Sequence, residues 1–385
     1  MSEKDLETQA YKLFLSGDLE GAEAHYREAL QQKNNIELLI NLGSVLCCNQ
    51  RAKEAIQCFR EALKLNPQHA EARTFLGIAL LLSGDFGAGW REYEARIRSN
   101  QFKDFLNPLG KFAWTGGAIE GKTILVRSEQ GAGDNIQFCR FLKKLKNDYK
   151  CKVVLHCRPD LKSLFESCQG IDQIISAEGE TVENCAACVY LGSLPGIFQI
   201  TQETIPGETP YLKPSEDREQ KWNYYFNSLD IPQGKLKVGI ANKGNPKNPL
   251  NRFRELPIKD LQTLLGLENC FFFGIQKDNQ DFTEIKASNF IDLSGDLQDF
   301  DDTAAIIQNL DFVISVDTSV IHLAGALNKK GFLLLSRACD WRWMLERKDS
   351  LWYPSLTIFR QEKLFDWTRV LEEIREELFQ KFKLT

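Results

Sequence analysis

Apolar and polar positions fall into two regimes along the chain. Over the first hundred residues, small and aromatic positions recur at helical spacing, and the pattern itself returns every 33 to 34 residues. Gly17, Ala22, Tyr26 and Ala29 are answered by Ala55, Phe59 and Ala62, with Pro67 closing the unit, and Leu42-Gly43 returns as Leu76-Gly77. Gly84, Gly89 and Tyr93 occupy the matching places of a third copy, which breaks pattern at Arg96. A small residue at a crossing, with an aromatic one turn on, is what a pair of antiparallel helices requires. Three such units are near the minimum for a solenoid, so the segment is expected to lean on the remainder of the chain.

From Lys122 the pattern changes to short apolar runs separated by helical segments of about ten residues, which implies βαβ crossovers and a parallel sheet. Strands are expected at Thr123 to Arg127, Lys152 to Cys157, Ile171 to Ser176 and Cys188 to Leu191, with an amphipathic helix from Asp217 to Leu229. The arrangement then starts again. Lys237 to Ala241, Cys270 to Ile275, Phe290 to Leu293, Phe312 to Val316 and, as the last strand, Phe332 to Leu335 alternate with helices at Leu256 to Leu265, Asp301 to Leu310 and Leu323 to Leu327. Between the regimes, Pro108, Gly110, Gly116 and Gly117 make Phe102 to Gly121 a linker, with Trp114 available as an anchor. A last amphipathic helix, Thr368 to Phe382, is expected to pack back on the first half. Divided this way, residues 1–104 form helical repeats, 105–121 a linker, 122–232 one Rossmann-like domain and 233–385 a second that includes the C-terminal helix.

Composition narrows the function classes. A net charge of −5 and a pI near 5.7 give no general electrostatic reason to expect nucleic acid or an anionic membrane. Neither an apolar leader nor a run of eighteen apolar residues occurs in the sequence, so the expectation is a cytoplasmic protein without stable membrane insertion. The eleven cysteines lie mostly inside apolar runs, as reduced buried thiols do. Cys185 and Cys188 make a single CxxC with no second pair at finger spacing, which fits strand cysteines better than zinc.

Chemistry concentrates at three strand ends. After the first strand comes Gln130-Gly131-Ala132-Gly133-Asp134, then a helical pattern from Asn135. Glycines there allow close backbone approach to a ligand, and free N–H groups at a helix start attract anionic oxygens. The turn lacks the third glycine of the dinucleotide fingerprint, so Asp134 reads equally as a helix cap or as a base facing a substrate. A second set, Asp317-Thr318-Ser319-Val320-Ile321-His322, ends the strand at Phe312 to Val316. The third is the polar loop from Asn242 to Arg254, with Arg252 and Arg254 either solvated or in contact with phosphate. Glu129 is the one further carboxylate near the cleft that an epimerase-type acid/base pair would need.

Four ordered motifs carry a resemblance: VRSEQGAGDNIQFCR (Val126 to Arg140), GNPKNPLNRFRELP (Gly244 to Pro257), SVDTSVIHLAGAL (Ser315 to Leu327) and DWRWMLERKDSLWYPSLTIFRQ (Asp340 to Gln361). Together with the repeats, which resemble the tetratricopeptide repeat, they make the chain similar to bacterial tetratricopeptide-repeat glycosyltransferases with a heptosyltransferase-like GT-B domain. The resemblance implies helical repeats followed by two Rossmann-like domains facing a cleft. It places the general base on Asp134, donor binding on Asp317, Thr318 and His322, and phosphate contact on Arg254 with Arg252 and Lys243 as neighbours; Gly131, Gly133, Gln137, Asn245, Gln276 and Ser319 complete the candidate donor-binding set. The run Ala241-Asn242-Lys243-Gly244 departs from the family, where a tryptophan and a small residue are usual, and Arg337 is a further departure; both leave the donor's nucleotide open.

On this reading the chain is an inverting glycosyltransferase that uses a nucleotide sugar as substrate, with a carboxylate taking the acceptor proton and fixed positive groups receiving the departing phosphate; no DxD pair is evident in the cleft loops, so neither metal nor cofactor is expected. The repeat arm would recruit a protein acceptor through its concave face, or serve as a spacer or as the interface of a homo-oligomer. Alternatives are a saccharide or lipid acceptor, and a non-catalytic repeat scaffold with a degenerate GT-B domain.

Overall fold

The computed structural model describes residues 1–99, 113–129, 131–176, 182, 184–245 and 251–382. Linker residues 102–112, Gln130 of the glycine turn and residues 246–250 of the loop motif lie outside the described residues.

Six helices build the arm as three antiparallel pairs: α1 (Glu3–Ser16) with α2 (Leu19–Gln32), α3 (Ile36–Cys48) with α4 (Ala52–Leu65), and α5 (Ala70–Leu82) with α6 (Phe86–Tyr93). Side chains of Ser2, Asp18, Asn35, His69 and Asp85 accept from backbone N–H groups at the starts of five of them, which is why those helices begin there. The repeat explains itself sterically. A Cβ on Gly43 would lie 2.5 Å from Phe59, and one on Gly77 would lie 2.4 Å from the backbone nitrogen of Tyr93, so each crossing admits only the smallest residue.

The third pair is joined to the α/β part. Trp90 donates its indole N–H to the Ile200 carbonyl at 2.9 Å and meets Trp341 edge-on at 5.2 Å. Arg96, where the repeat pattern breaks, is 1% exposed and donates to Glu129 at 2.5 Å, Glu94 at 2.9 Å and the Ser193 hydroxyl at 2.9 Å. Trp114 also anchors as expected: its backbone N–H reaches the Cys188 carbonyl at 2.8 Å, and its ring meets Tyr149 edge-on at 4.8 Å.

Among the described residues the strands form two parallel sheets. The first has the order β3-β2-β1-β4, from β1 (Thr123–Arg127), β2 (Lys152–His156), β3 (Gln173–Ile175) and β4 (Cys185–Tyr190). The second has the order β10-β9-β8-β5-β6-β7, from β5 (Leu236–Ala241), β6 (Cys270–Gly274), β7 (Phe290–Asp292), β8 (Phe312–Val316), β9 (Gly331–Leu335) and β10 (Leu356–Arg360). Strand order reverses between β1 and β4 and between β5 and β8. Open α/β sheets bind ligands beyond the strand C-termini at such points. The turns carrying Asp134, Lys243 and Asp317 follow β1, β5 and β8, so topology places the first at the switch point of one sheet and the other two at that of the second.

Several expectations need correction. Phe332 to Leu335 is not the last strand: Leu356–Arg360 pairs with β9 at the sheet edge, from a segment whose aromatic surroundings obscure its alternation. The helix after Asp317 begins at Ser319 rather than Leu323, and the helix after the glycine turn begins at Ala132 rather than Asn135. The C-terminal helix, Thr368–Phe382, packs on the second half and not the first. Its Val370, Leu371, Ile374 and Leu378 share a core with Leu261, Leu264, Phe332 and Phe359, the apolar surface that β10 and the helix Ile258–Leu265 offer beside it. Cys185 and Cys188 are free thiols on β4. Among the described residues no helix is long and apolar enough to cross a membrane.

Candidate active site

The turn after β1 is shaped by Asn135, whose amide donates to the carbonyls of Glu129 at 2.9 Å and Gly131 at 2.8 Å and whose oxygen accepts from the Glu129 N–H at 3.2 Å. That leaves Asp134 on the first helical turn with its side chain 38% exposed. Gly133 is sterically required, and Gly131 leaves the Asp134 carboxylate its place. A Cβ on Gly131 would sit 2.3 Å from Asp134 Oδ2, and one on Gly133 would sit 2.7 Å from His322 Cδ2 in the opposite half.

On that opposite side Thr318 caps the helix Ser319–Ala326, its hydroxyl accepting from the Val320 N–H at 3.2 Å. His322, one turn in, is buried with Nε2 3.7 Å from Asp317 Oδ1, Nδ1 bonded to the Tyr353 hydroxyl at 2.8 Å, and its ring 5.2 Å from that of Trp343. Burial pulls the imidazole below its ordinary range; the positive charge of Arg342 adds to this, while the contact with Asp317 opposes it. Asp317 moves the other way from its surroundings: burial alone would raise it, but the His322 contact and the Arg254 guanidinium hold it at about 2. The site therefore contains a fixed anion beside a ring held neutral near pH 7.

The loop after β5 contributes Arg254, whose Nη1 lies 3.9 Å from Asp317 Oδ2. Gly244 donates to the Asn251 side chain at 2.7 Å, Gln276 accepts from the Lys243 N–H at 3.2 Å, and the Lys243 ammonium pairs with Asp281 at 2.6 Å. Lys243 thus meets a carboxylate of its own, while Asn245 and Arg252 are exposed at the rim.

The sequence reading missed the residue that ties these turns together. Arg342, 8% exposed and reached from the loop after β9, pairs with Asp134, with Asp340 at 2.8 Å and with the Gln137 side-chain oxygen at 2.6 Å. A pairing with Asp340 is legible in the sequence; the contact with Asp134 crosses between the two halves, and no local spacing encodes it. Asp340 is pushed up to about 6 by burial and by the nearby charges of Asp317 and Asp134, against the pull of Arg342. Three buried donors at this junction have no partner among the described residues: Gln137 Nε2, Arg254 Nε and Trp343 Nε1. Buried donors in folded proteins are nearly always paired, so these mark where a ligand's oxygen atoms or ordered water belong.

Other candidates lie elsewhere. Glu129 is held by Arg96 and is not free for acid/base work. Arg337 donates to Asn49 of the arm at 3.0 Å and to the Glu362 carbonyl at 2.9 Å, so it joins arm to second half rather than lining a base pocket. Trp343 and Trp352 are buried, Trp343 against His322 and Tyr353 and Trp352 against Phe138 and Phe141 of the other half. Among the described residues, the set with metal-ligand proximity is Glu37, His69 and Glu71 on the arm. There His69 Nδ1 accepts from the Ala72 N–H at 3.3 Å, which puts the proton of a neutral ring on Nε2, the atom facing Glu37 at 3.6 Å.

Residues 36–69 match the tetratricopeptide repeat family. Protein FlbA of Caulobacter vibrioides is 25% identical over 444 residues, an alignment covering 93% of this chain and 72% of FlbA. Among solved structures, the family 9 glycosyl transferase of Veillonella parvula is 12% identical with a TM-score of 0.45, covering 70% of this chain and 91% of its own. ADP-heptose LPS heptosyltransferase II of E. coli is 15% identical with a TM-score of 0.46, covering 67% and 99%. The strand orders and the repeat match together define the architecture: a tetratricopeptide-repeat arm followed by two Rossmann-like domains that face each other across a GT-B-like cleft.

Proposed function

We propose that this cleft transfers a sugar from a nucleotide-sugar donor to an acceptor hydroxyl with inversion, without a metal ion. The observation that carries the reading is the convergence of Asp134, Arg342, Asp317, His322 and Arg254 from opposite halves onto one junction. Arg342 holds one oxygen of Asp134, and Gly131 leaves room around the other. That free oxygen takes the acceptor proton as the hydroxyl oxygen attacks the anomeric carbon and the bond from that carbon to the phosphate oxygen breaks. The departing diphosphate charge is met by Arg254, by Arg342 and by the N–H groups at the start of the helix Ser319–Ala326. Fixed guanidinium charge at this position performs the task a divalent cation performs elsewhere.

Lys243, Asn245, Gln276 and Arg252 are assigned to the outer part of the donor pocket, and Gly131, Gly133, Gln137, Thr318 and Ser319 to its floor. A protein hydroxyl is the acceptor we favour, with the arm running beside the cleft at Trp341 as its docking element and the cytoplasm as its compartment. Thermal unfolding against UDP-, ADP-, GDP- and CMP-linked ligands tests the reading. A ligand at a hundred times its dissociation constant stabilises by about 2.7 kcal/mol. A shift with one nucleotide that is lost in Arg254→Ala and His322→Ala supports it; a well-folded protein that responds to none is instead a scaffold.

A further inference from the structure

The loop that carries Arg252 and Arg254 is tied at its base from within its own half. Leu256 N–H donates to the Asn242 carbonyl at 2.8 Å, the Asn242 amide returns a bond to the Leu256 carbonyl at 3.0 Å, and Trp367 donates its indole N–H to the Glu255 carbonyl at 2.8 Å. Its four-residue helix, Asn251–Arg254, is held on the outer side by the repeat arm. Phe253, between the two arginines and 1% exposed, meets Phe14 of α1 edge-on with ring centroids 5.4 Å apart, and Phe365 at 5.7 Å. The arm closes on Phe365 as well. Gly17 ends α1 with φ of 88°, and a Cβ there would lie 2.3 Å from the Phe365 ring, while Leu364 packs against the arm's core.

On so short a helix the seat of Phe253 fixes the backbone from which Arg254 projects. Arg254, next in the chain, lies 3.9 Å from Asp317. We infer that the first repeat is a positioning element for the donor loop, with Phe14 as its positioning residue, so that the arm sets donor affinity as well as meeting an acceptor. The inference rests on the reading of Arg254 as a phosphate contact. An arm that served only to recruit a partner would need no seat for the residue between the loop's two arginines.

The test measures calorimetric binding of ADP, UDP, GDP and CDP to the full chain and to the variants Phe14→Ala, Phe14→Tyr and Leu38→Ala. Leu38 is fully buried in the arm's core at α3, so its truncation loosens the arm without removing the aromatic seat. Where Leu38→Ala does not give a cooperative melt, Ile40→Val replaces it. The expected result is a dissociation constant raised about two- to tenfold in Phe14→Ala, the range an aromatic pair supplies, restored in Phe14→Tyr and unchanged in the core variant. Equal binding by wild type and Phe14→Ala, or equal weakening by the core variant, overturns the inference while leaving the donor reading intact. Wild-type protein that binds none of the four overturns the donor reading, and the inference falls with it.

Discussion

Gly133→Ala is the sharpest perturbation of the closed cleft. The added methyl would lie 2.7 Å from His322 Cδ2 and 3.3 Å from Nε2, the first distance well inside contact. His322 has little room to yield, because its ring is bonded to Tyr353 at 2.8 Å, faces Trp343 at 5.2 Å and stands 3.7 Å from Asp317. Overpacking of this kind costs about 1–3 kcal/mol. The clash is between halves, so it is relieved by their separation as well as by unfolding. If folding carries the cost, an entropy of unfolding near 2.1 cal/mol/K per residue gives this chain about 0.8 kcal/mol/K and a midpoint lowered by about 1–4 °C. If closure carries it, the midpoint holds and kcat/KM for the nucleotide sugar falls by about five- to 150-fold. Calorimetry and donor kinetics on one preparation separate the two. Gly87→Ala is the control, since a Cβ there meets nothing within 4 Å. A Gly133→Ala protein that matches wild type in both measurements would refute the packing of helix Ala132–Phe138 on His322 in the working molecule.

Arg96→Ala should destabilise by about 3–5 kcal/mol at neutral pH, because it strands a buried carboxylate. Glu129 already sits above the ordinary carboxylate range, burial outweighing the pull of Arg96; removing the arginine raises it further, so the loss should shrink as pH falls toward 5 and grow toward 8, as urea titrations across that range would record. With Asp340 held at about 6, activity should fall as pH drops through that value and Asp340 loses its charge on Arg342, and Asp340→Asn should remove this limb; a limb that persists in the variant belongs to His322 instead. Burial pushes Cys157 up to about 12 and Cys188, Cys270 and Cys339 up to about 11, so iodoacetamide at pH 7.5 should label these four only after denaturation, as peptide mapping would reveal.

Periodic features were legible in the sequence, and features made by distant contacts were not. The arm's helices follow from small and aromatic residues at repeating offsets, and β1 and β8 from unbroken apolar runs. Asp134 and Asp317 were legible as site residues because each follows a strand C-terminus at the switch point of its own sheet. Arg342 was not, since its partners Asp134 and Gln137 belong to the other half and only the closed fold brings them within reach. Arg96 looked like a flaw in the third repeat for the same reason: its partner Glu129 follows β1. The destination of the C-terminal helix was misjudged because its apolar stripe records that it packs, while the choice of surface depended on β10, itself concealed among aromatics.

The charge balance of the junction leads to a last expectation. Asp134, Asp317 and Asp340 face Arg342 and Arg254, with His322 neutral, and a further guanidinium, Arg140, lies 4.9 Å over the Tyr353 ring. Even counting Arg140, these cations only balance the carboxylates. Lys243 is already paired with Asp281 at 2.6 Å. A diphosphate entering here brings net negative charge to the junction, which raises the proton affinity of the groups around it. Asp340, held at about 6, and His322, held low chiefly by burial, are the groups placed to respond. Donor binding near pH 6.5 should therefore take up a fraction of a proton, visible as a binding enthalpy that varies with the ionisation enthalpy of the buffer, and the uptake should diminish in Asp340→Asn. An enthalpy independent of buffer would refute this charge balance and mean that the junction keeps its protons fixed when the donor binds.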